Sequence, residues 1–170
     1  MDNNDIMRRI RYTFDFDDSK MVSLFALADY EVTREIISDW LKKDDDPSFQ
    51  VCEDQKLALF LNGLINDKRG KREGVQPEIE TRINNNIVFR KLKIALDLKA
   101  EDILSIMALS EMAISKHELS AFFRKPGHKH YRECKDQILR NFLNGMQIKY
   151  RGDAGGSTGN ENVYNKFNLK

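Results

Sequence analysis

The sequence predicts an all-α protein built from two tandem four-helix modules, and three observations predict it. Residue n of the first stretch returns at n+82 in the second without a gap: residues 3–65 laid over 85–147 share 17 identities in 63 positions. Apolar residues recur at spacings of three and four, the period of a helix with one buried face. No alternating apolar–polar run of useful strand length interrupts them.

The elements come in order. Ile6, Met7, Ile10 and Phe14 fall on one face of a first helix, and Met21, Val22, Leu24, Phe25 and Ala28 form the stripe of a second, capped by Asp17 or Asp18. A third helix starts at Thr33 with Ile36, Ile37, Trp40 and Leu41 inward. The fourth starts near Glu53 with Leu57, Phe60, Leu61 and Leu64 inward. In the second copy Ser115 and Glu118 have the S-x-x-E spacing of a capping box, which marks the start of its third helix. The block Phe60-Leu-Asn-Gly63 returns as Phe142-Leu-Asn-Gly145. Glycine inside a helix costs about 1 kcal/mol against alanine, so its recurrence predicts a close approach by another helix, and the adjacent Asn62 or Asn144 is expected to bond a carbonyl or loop.

The modules are read as 1–65 and 83–150. Between them 66–82 is rich in charge, with Gly70, Gly74 and Pro77, and reads as an exposed linker. The stretch 151–170, poor in apolar residues and rich in Gly and Asn, reads as a disordered tail.

Composition bounds the function. With 41% hydrophobic residues the chain has enough to bury a core, and no run of about 18 apolar residues marks a membrane span. The acidic start Met1-Asp2-Asn3-Asn4-Asp5 is unlike a secretory signal, so a soluble cytoplasmic protein without membrane contact is expected. Its two cysteines, Cys52 and Cys134, sit at equivalent positions, one per module, which argues against a disulfide framework. The formal charge of +1 hides an asymmetry: residues 1–82 hold 13 Lys plus Arg against 18 Asp plus Glu, net −5, whereas 83–170 hold 15 against 9, net +6. A basic half attracts polyanions.

The thiols lack what a nucleophile needs, since the first copy has no histidine to act as base, and they read as small buried residues at the start of the fourth helix. Asp54 or Asp136 then stands in that helix's first turn, where the partial positive charge favours a carboxylate. No paired carboxylates, phosphate-cradling glycine loop or metal cluster is apparent, so neither catalytic residues nor a cofactor are expected. His128, His130 and Cys134 match no zinc spacing.

The loop after the third helix stands out. In the second copy it reads Arg124-Lys125-Pro126-Gly127-His128-Lys129-His130-Tyr131-Arg132, and in the first Lys42-Lys43-Asp44-Asp45-Asp46-Pro47-Ser48-Phe49-Gln50: one scaffold with its charge inverted. Cations around an aromatic ring suit phosphate and base contact, and histidines add charge as pH falls toward about 6. The competing reading is a basic loop that is merely solvated. The second and third helices also have helix-turn-helix proportions. The exposed recognition positions of the second copy would be Lys116, His117, Ser120, Ala121, Arg124 and Lys125.

Over residues 1 to about 150 the chain resembles the bacterial YehS-like family, domain of unknown function 1456, whose members carry two copies of one helical domain. The resemblance rests on Asn3-Asn4, Arg8-x-x-Arg11-Tyr12, Phe25-Ala-Leu-Ala28, Trp40-Leu-Lys-Lys43, Cys52-x-Asp54, Phe60-Leu-Asn-Gly-Leu64 and Lys68-Arg-Gly70. In the second half it rests on Leu119-Ser-Ala-x-Phe-Arg-Lys-Pro-Gly-His128, Tyr131-Arg-Glu-Cys134 and Leu139-Arg-Asn-Phe-Leu143. It implies a small bacterial protein of unassigned activity. The expectation is therefore a non-enzymatic binding or regulatory protein whose second module holds nucleic acid or another polyanion through Lys116, Arg124, Lys125, His128, Lys129, His130, Tyr131 and Arg132. The alternative is an adaptor that engages a protein partner, or a second copy of itself, through its acidic and basic halves.

Overall fold

Most helices of this chain begin where a short polar side chain accepts one of their free N–H groups. In the computed structural model, which describes residues 1–152, Asp2 caps α1 (Asn3–Phe14), Asp17 caps α2 (Asp18–Leu27) and Thr33 caps α3 (Arg34–Leu41). The fourth helix, α4 (Asp54–Arg69), carries Asp54 in its first turn. The second copy repeats the order as α5 (Asn85–Ala95), α6 (Ala100–Leu109), α7 (Lys116–Ala121) and α8 (Asp136–Tyr150), with Asn84 capping α5 and Ser115 closing a capping box with Glu118 on α7. No strand occurs among the described residues, and the all-α reading holds.

Within each copy the second helix packs along the fourth, and the glycines permit it. A Cβ on Gly63 would lie 1.9 Å from the Leu24 carbonyl oxygen, and one on Gly145 would lie 2.1 Å from that of Ile106. The stripes are inward as the periodicity requires, with one exception: Ile36, placed inward by the sequence, is 43% exposed, because Ile37 and Trp40 already fill the face of the short α3.

The two copies place one ring and one thioether of their cores differently. Phe25 of α2 meets Trp40 and Phe60 at ring distances of 5.6 and 5.8 Å. In the second copy the position of Phe25 is Met107 and that of Met7 is Phe89, and it is Phe89 that meets Phe122 and Phe142, the counterparts of Trp40 and Phe60. One ring and one thioether have exchanged helices, so the volume of that pair is conserved, although Phe122 is smaller than Trp40.

The modules are not beads on a linker. α1 packs against α8 and α5 against α4, so the fourth helix of each copy lies against the first helix of the other, and one continuous core runs through both. The polar contacts across this junction come in exchanged pairs: Arg9 Nη1 donates to Asn144 Oδ1 at 2.7 Å, and Lys91 Nζ, its counterpart, donates to Asn62 Oδ1 at 2.6 Å. Arg69 pairs with Asp97 at 3.0 Å and Arg151 with Asp15 at 3.4 Å. Such i-to-j and j-to-i contacts define a two-fold interface, here inside one chain.

Two boundaries differ from those read in the sequence. The first module does not end at 65, because α4 continues to Arg69, and Asn66 and Asp67 are tied to α2 through the Leu27 carbonyl and Lys20. The linker beyond α4 is anchored too, with Lys71 paired to Asp29, and Glu80 paired to Lys91 at 3.1 Å. The tail does not begin at 151: Arg151 lies over the Tyr12 ring at 3.8 Å and donates to the Tyr12 carbonyl at 2.6 Å. The remainder of the stretch read as a tail, 153–170, lies outside the described residues.

Candidate functional site

A buried asparagine in each module holds the loop between its third and fourth helices. Asn4, 1% exposed near the start of α1, donates through Nδ2 to the carbonyls of Trp40 and Gln50 at 2.8 and 2.9 Å, and its Oδ1 accepts the Cys52 N–H at 3.0 Å. Asn86 does the same for Phe122, Arg132 and Cys134 at 3.1, 2.8 and 2.9 Å. The neighbouring Asn3 and Asn85 reach the cysteine carbonyls and the carboxylates of Asp54 and Asp136. The repeated Asn-Asn pair thus fixes a long excursion of backbone that would otherwise be free.

The loop so held has one hydrogen-bond pattern in both copies. Asp46, Phe49 and Gln50 donate their N–H groups to the carbonyls of Lys43, Asp46 and Asp39, and His128, Tyr131 and Arg132 donate theirs to Lys125, His128 and Ala121. The two backbones part at one position, where Gly127 takes the turn at φ +92° and its counterpart Asp45 has no positive φ. On this shared frame the first module presents Asp44, Asp45 and Asp46, and the second presents Lys125, His128, Lys129 and His130, all exposed.

The sequence-derived site residues separate into two groups. Arg124, half-buried, and the exposed Lys125, Lys129 and Arg132 take part in no ion pair among the described residues. Lys116, at the first position of α7, is instead engaged with Glu101 of α6 at 2.8 Å, though both groups remain exposed enough for solvent to screen the pair. Tyr131 is half-buried. Ala121, read as an exposed recognition position, is 6% exposed, because α7 turns that side onto the core.

The sequence places one member of the cluster, His117, only among the recognition positions of the third helix and not with the loop. The bond from Arg132 N–H back to the Ala121 carbonyl folds the loop over α7 and brings the His130 ring to 6.4 Å from His117, with His128 5.6 Å from His130. No local spacing encodes that return, although the exposure of His117 on the helix was legible. His128 Nδ1 accepts the His130 N–H at 3.0 Å. Beside the rings lies a cavity of about 440 Å³ lined by His117, Glu118, Phe122, Lys129, His130 and Arg132. Glu118 is the acidic group in this wall. The Ser115 backbone N–H, which it accepts at 3.1 Å, holds its carboxyl below the ordinary value, so it stays charged and partly offsets the cations around it.

The thiols belong to the core. Burial pushes Cys52 and Cys134 up to about 12, far from thiolates at neutral pH, and each sits 1% exposed beneath the loop. The segment joining α6 to α7 spans 110–115, longer than the turn of about three or four residues in DNA-binding helix-turn-helix units, and α7 itself has 6 residues. No group of His, Cys, Asp or Glu among the described residues has the arrangement of a metal site. No helix there is long and apolar enough to cross a membrane.

Comparison with known proteins places this architecture. Residues 3–70 and 85–152 each match the family described as "Protein of unknown function (DUF1456)", and these two matches coincide with the two halves of the internal repeat. The chain is 48% identical over 148 residues, 86% of its length and 95% of the relative's, to the "Uncharacterized protein YehS" of Escherichia coli (strain K12). No solved structure matches.

Proposed function

This chain belongs to the DUF1456 family of proteins of unknown function, and from that premise we propose that its second module binds polyanions, nucleic acid foremost, through the loop after α7. The observation that carries the reading is the contrast between twin loops: within one hydrogen-bond pattern, the first copy places three aspartates where the second places Pro126, Gly127 and His128 amid cations that have no ion-pair partner among the described residues. Unpaired exposed cations on a fixed frame suit phosphate oxygens spaced along a strand, and the half-buried Tyr131 offers a ring edge among them. The pinning by Asn86 supports it further, because a held loop loses little entropy on binding. The role is one of binding rather than catalysis, in the cytoplasm, where both buried cysteines stay reduced.

Titration of fluorescent single-stranded and duplex oligonucleotides against the full chain at two salt concentrations tests this. Affinity should fall with salt, with a log–log slope of about 3 if four cations contact a single strand. Lys129→Glu with Arg124→Glu should weaken binding for every sequence, whereas Lys43→Glu in the acidic twin should not. Absence of binding at low salt, or indifference to the double reversal, overturns the reading. A chain that instead gains mass at low salt in sedimentation points to the second role: the acidic loop of one copy seated on the basic loop of the next.

A further inference from the structure

A second cavity, of about 470 Å³, lies where the linker crosses α4 and α5. Leu59 and Ile65 of α4, Ile79 of the linker and Ile94 of α5 give it apolar walls, and the linked Asn62, Lys91 and Glu80 form its polar floor. Lys91 is 8% exposed and its charge is met by Glu80, so the floor is close to neutral. Arg72 and Arg90 stand at the mouth, both exposed and in no ion pair among the described residues. The volume falls in the range of small-molecule pockets, about 300–1,000 Å³.

The repeat shows how one residue of this wall differs from its counterpart. In the other copy Tyr12 stands for Ile94 and Arg151 for Arg69, and there the Arg151 guanidinium stacks on the Tyr12 ring at 3.8 Å. Arg69 pairs with Asp97 at 3.0 Å as Arg151 does with Asp15, but it finds no ring at Ile94, and that smaller residue is left 44% exposed. A large apolar residue so exposed, inside a concave wall where Arg72 and Arg90 outnumber Glu78, the one lining carboxylate in no ion pair among the described residues, is suited to a ligand with one greasy and one anionic end.

We propose that this junction cavity binds a small amphipathic anion, its apolar chain or ring against Leu59, Ile65, Ile79 and Ile94 and its carboxylate, phosphate or sulfonate at Arg72 and Arg90. The site is separate from the basic loop and takes a small molecule rather than a polymer. Fluorescence titration of the full chain with 8-anilinonaphthalene-1-sulfonate reads it directly. A saturable, blue-shifted enhancement at one site per chain is expected, displaced by decanoate and not by 1-decanol, which lacks the charge. Ile94→Glu and Arg90→Glu, both at exposed positions, should each weaken it by roughly tenfold or more. Lys129→Glu in the basic loop should leave it unchanged. Near-UV circular dichroism identifies variants that keep their packing, and Arg72→Glu serves if either of the first two does not. Non-saturable enhancement, equal displacement by the alcohol, or unchanged binding in the folded cavity variants overturns the proposal.

Discussion

Asn4 shows how much a single side chain carries here. Three backbone groups have this amide as their partner, two of them in buried bonds and that of Gln50 in a part-buried one, and an unsatisfied buried group costs about 1–3 kcal/mol. Asn4→Ala is therefore expected to lower unfolding free energy by on the order of 3 kcal/mol, measured in urea, and Asn86→Ala to do the same to the second module. A loss no larger than that of a surface substitution would mean that water replaces the amide without penalty. The sequence displayed both asparagines as a recurring pair, yet their task was not readable from it, because their partners lie 36 to 48 residues away. Gly63 and Gly145 were the reverse case. A glycine in a helix interior has few causes, and close approach of another helix is the commonest, so the recurrence alone indicated the contact that the Leu24 and Ile106 carbonyls make.

At the scale of the element, helix faces were legible from spacing and partner choice was not. The exchange of Met7 and Phe25 for Phe89 and Met107 gives this a measurable form. Met7→Phe alone should overpack the first module and cost about 1–3 kcal/mol, since Phe25 already fills the space beside Trp40 and Phe60. Adding Phe25→Met should recover most of the loss, as the second module tolerates that pairing. Additive losses in the two singles and the double would show that the positions do not share one space. The loop after the third helix was legible for a similar reason: alignment of the copies exposed its charge inversion, and its shared hydrogen bonds bear out the common scaffold. The inclusion of His117 and the withdrawal of Lys116 to Glu101 depend on how α7 sits against its neighbours, which periodicity does not specify.

Across the whole molecule, the interleaved helices make the halves one unit. Trp40, the sole tryptophan, lies in the first module and reports on it alone. Leu143→Ala, at a position 2% exposed in α8, should cost about 2–5 kcal/mol, and the Trp40 fluorescence midpoint in urea should fall together with the far-ultraviolet circular dichroism midpoint. Independent modules would leave Trp40 where it was. The same interleaving sets the order in which the chain completes itself. Arg9 is made early and its acceptor, Asn144, comes 135 residues later, so α1 emerges from the ribosome long before the helix that covers it. A nascent first half therefore lacks the part of its cover that α8 supplies to α1 until α8 has been made, and closing the chain on itself should be the slow step of an otherwise locally built helical protein.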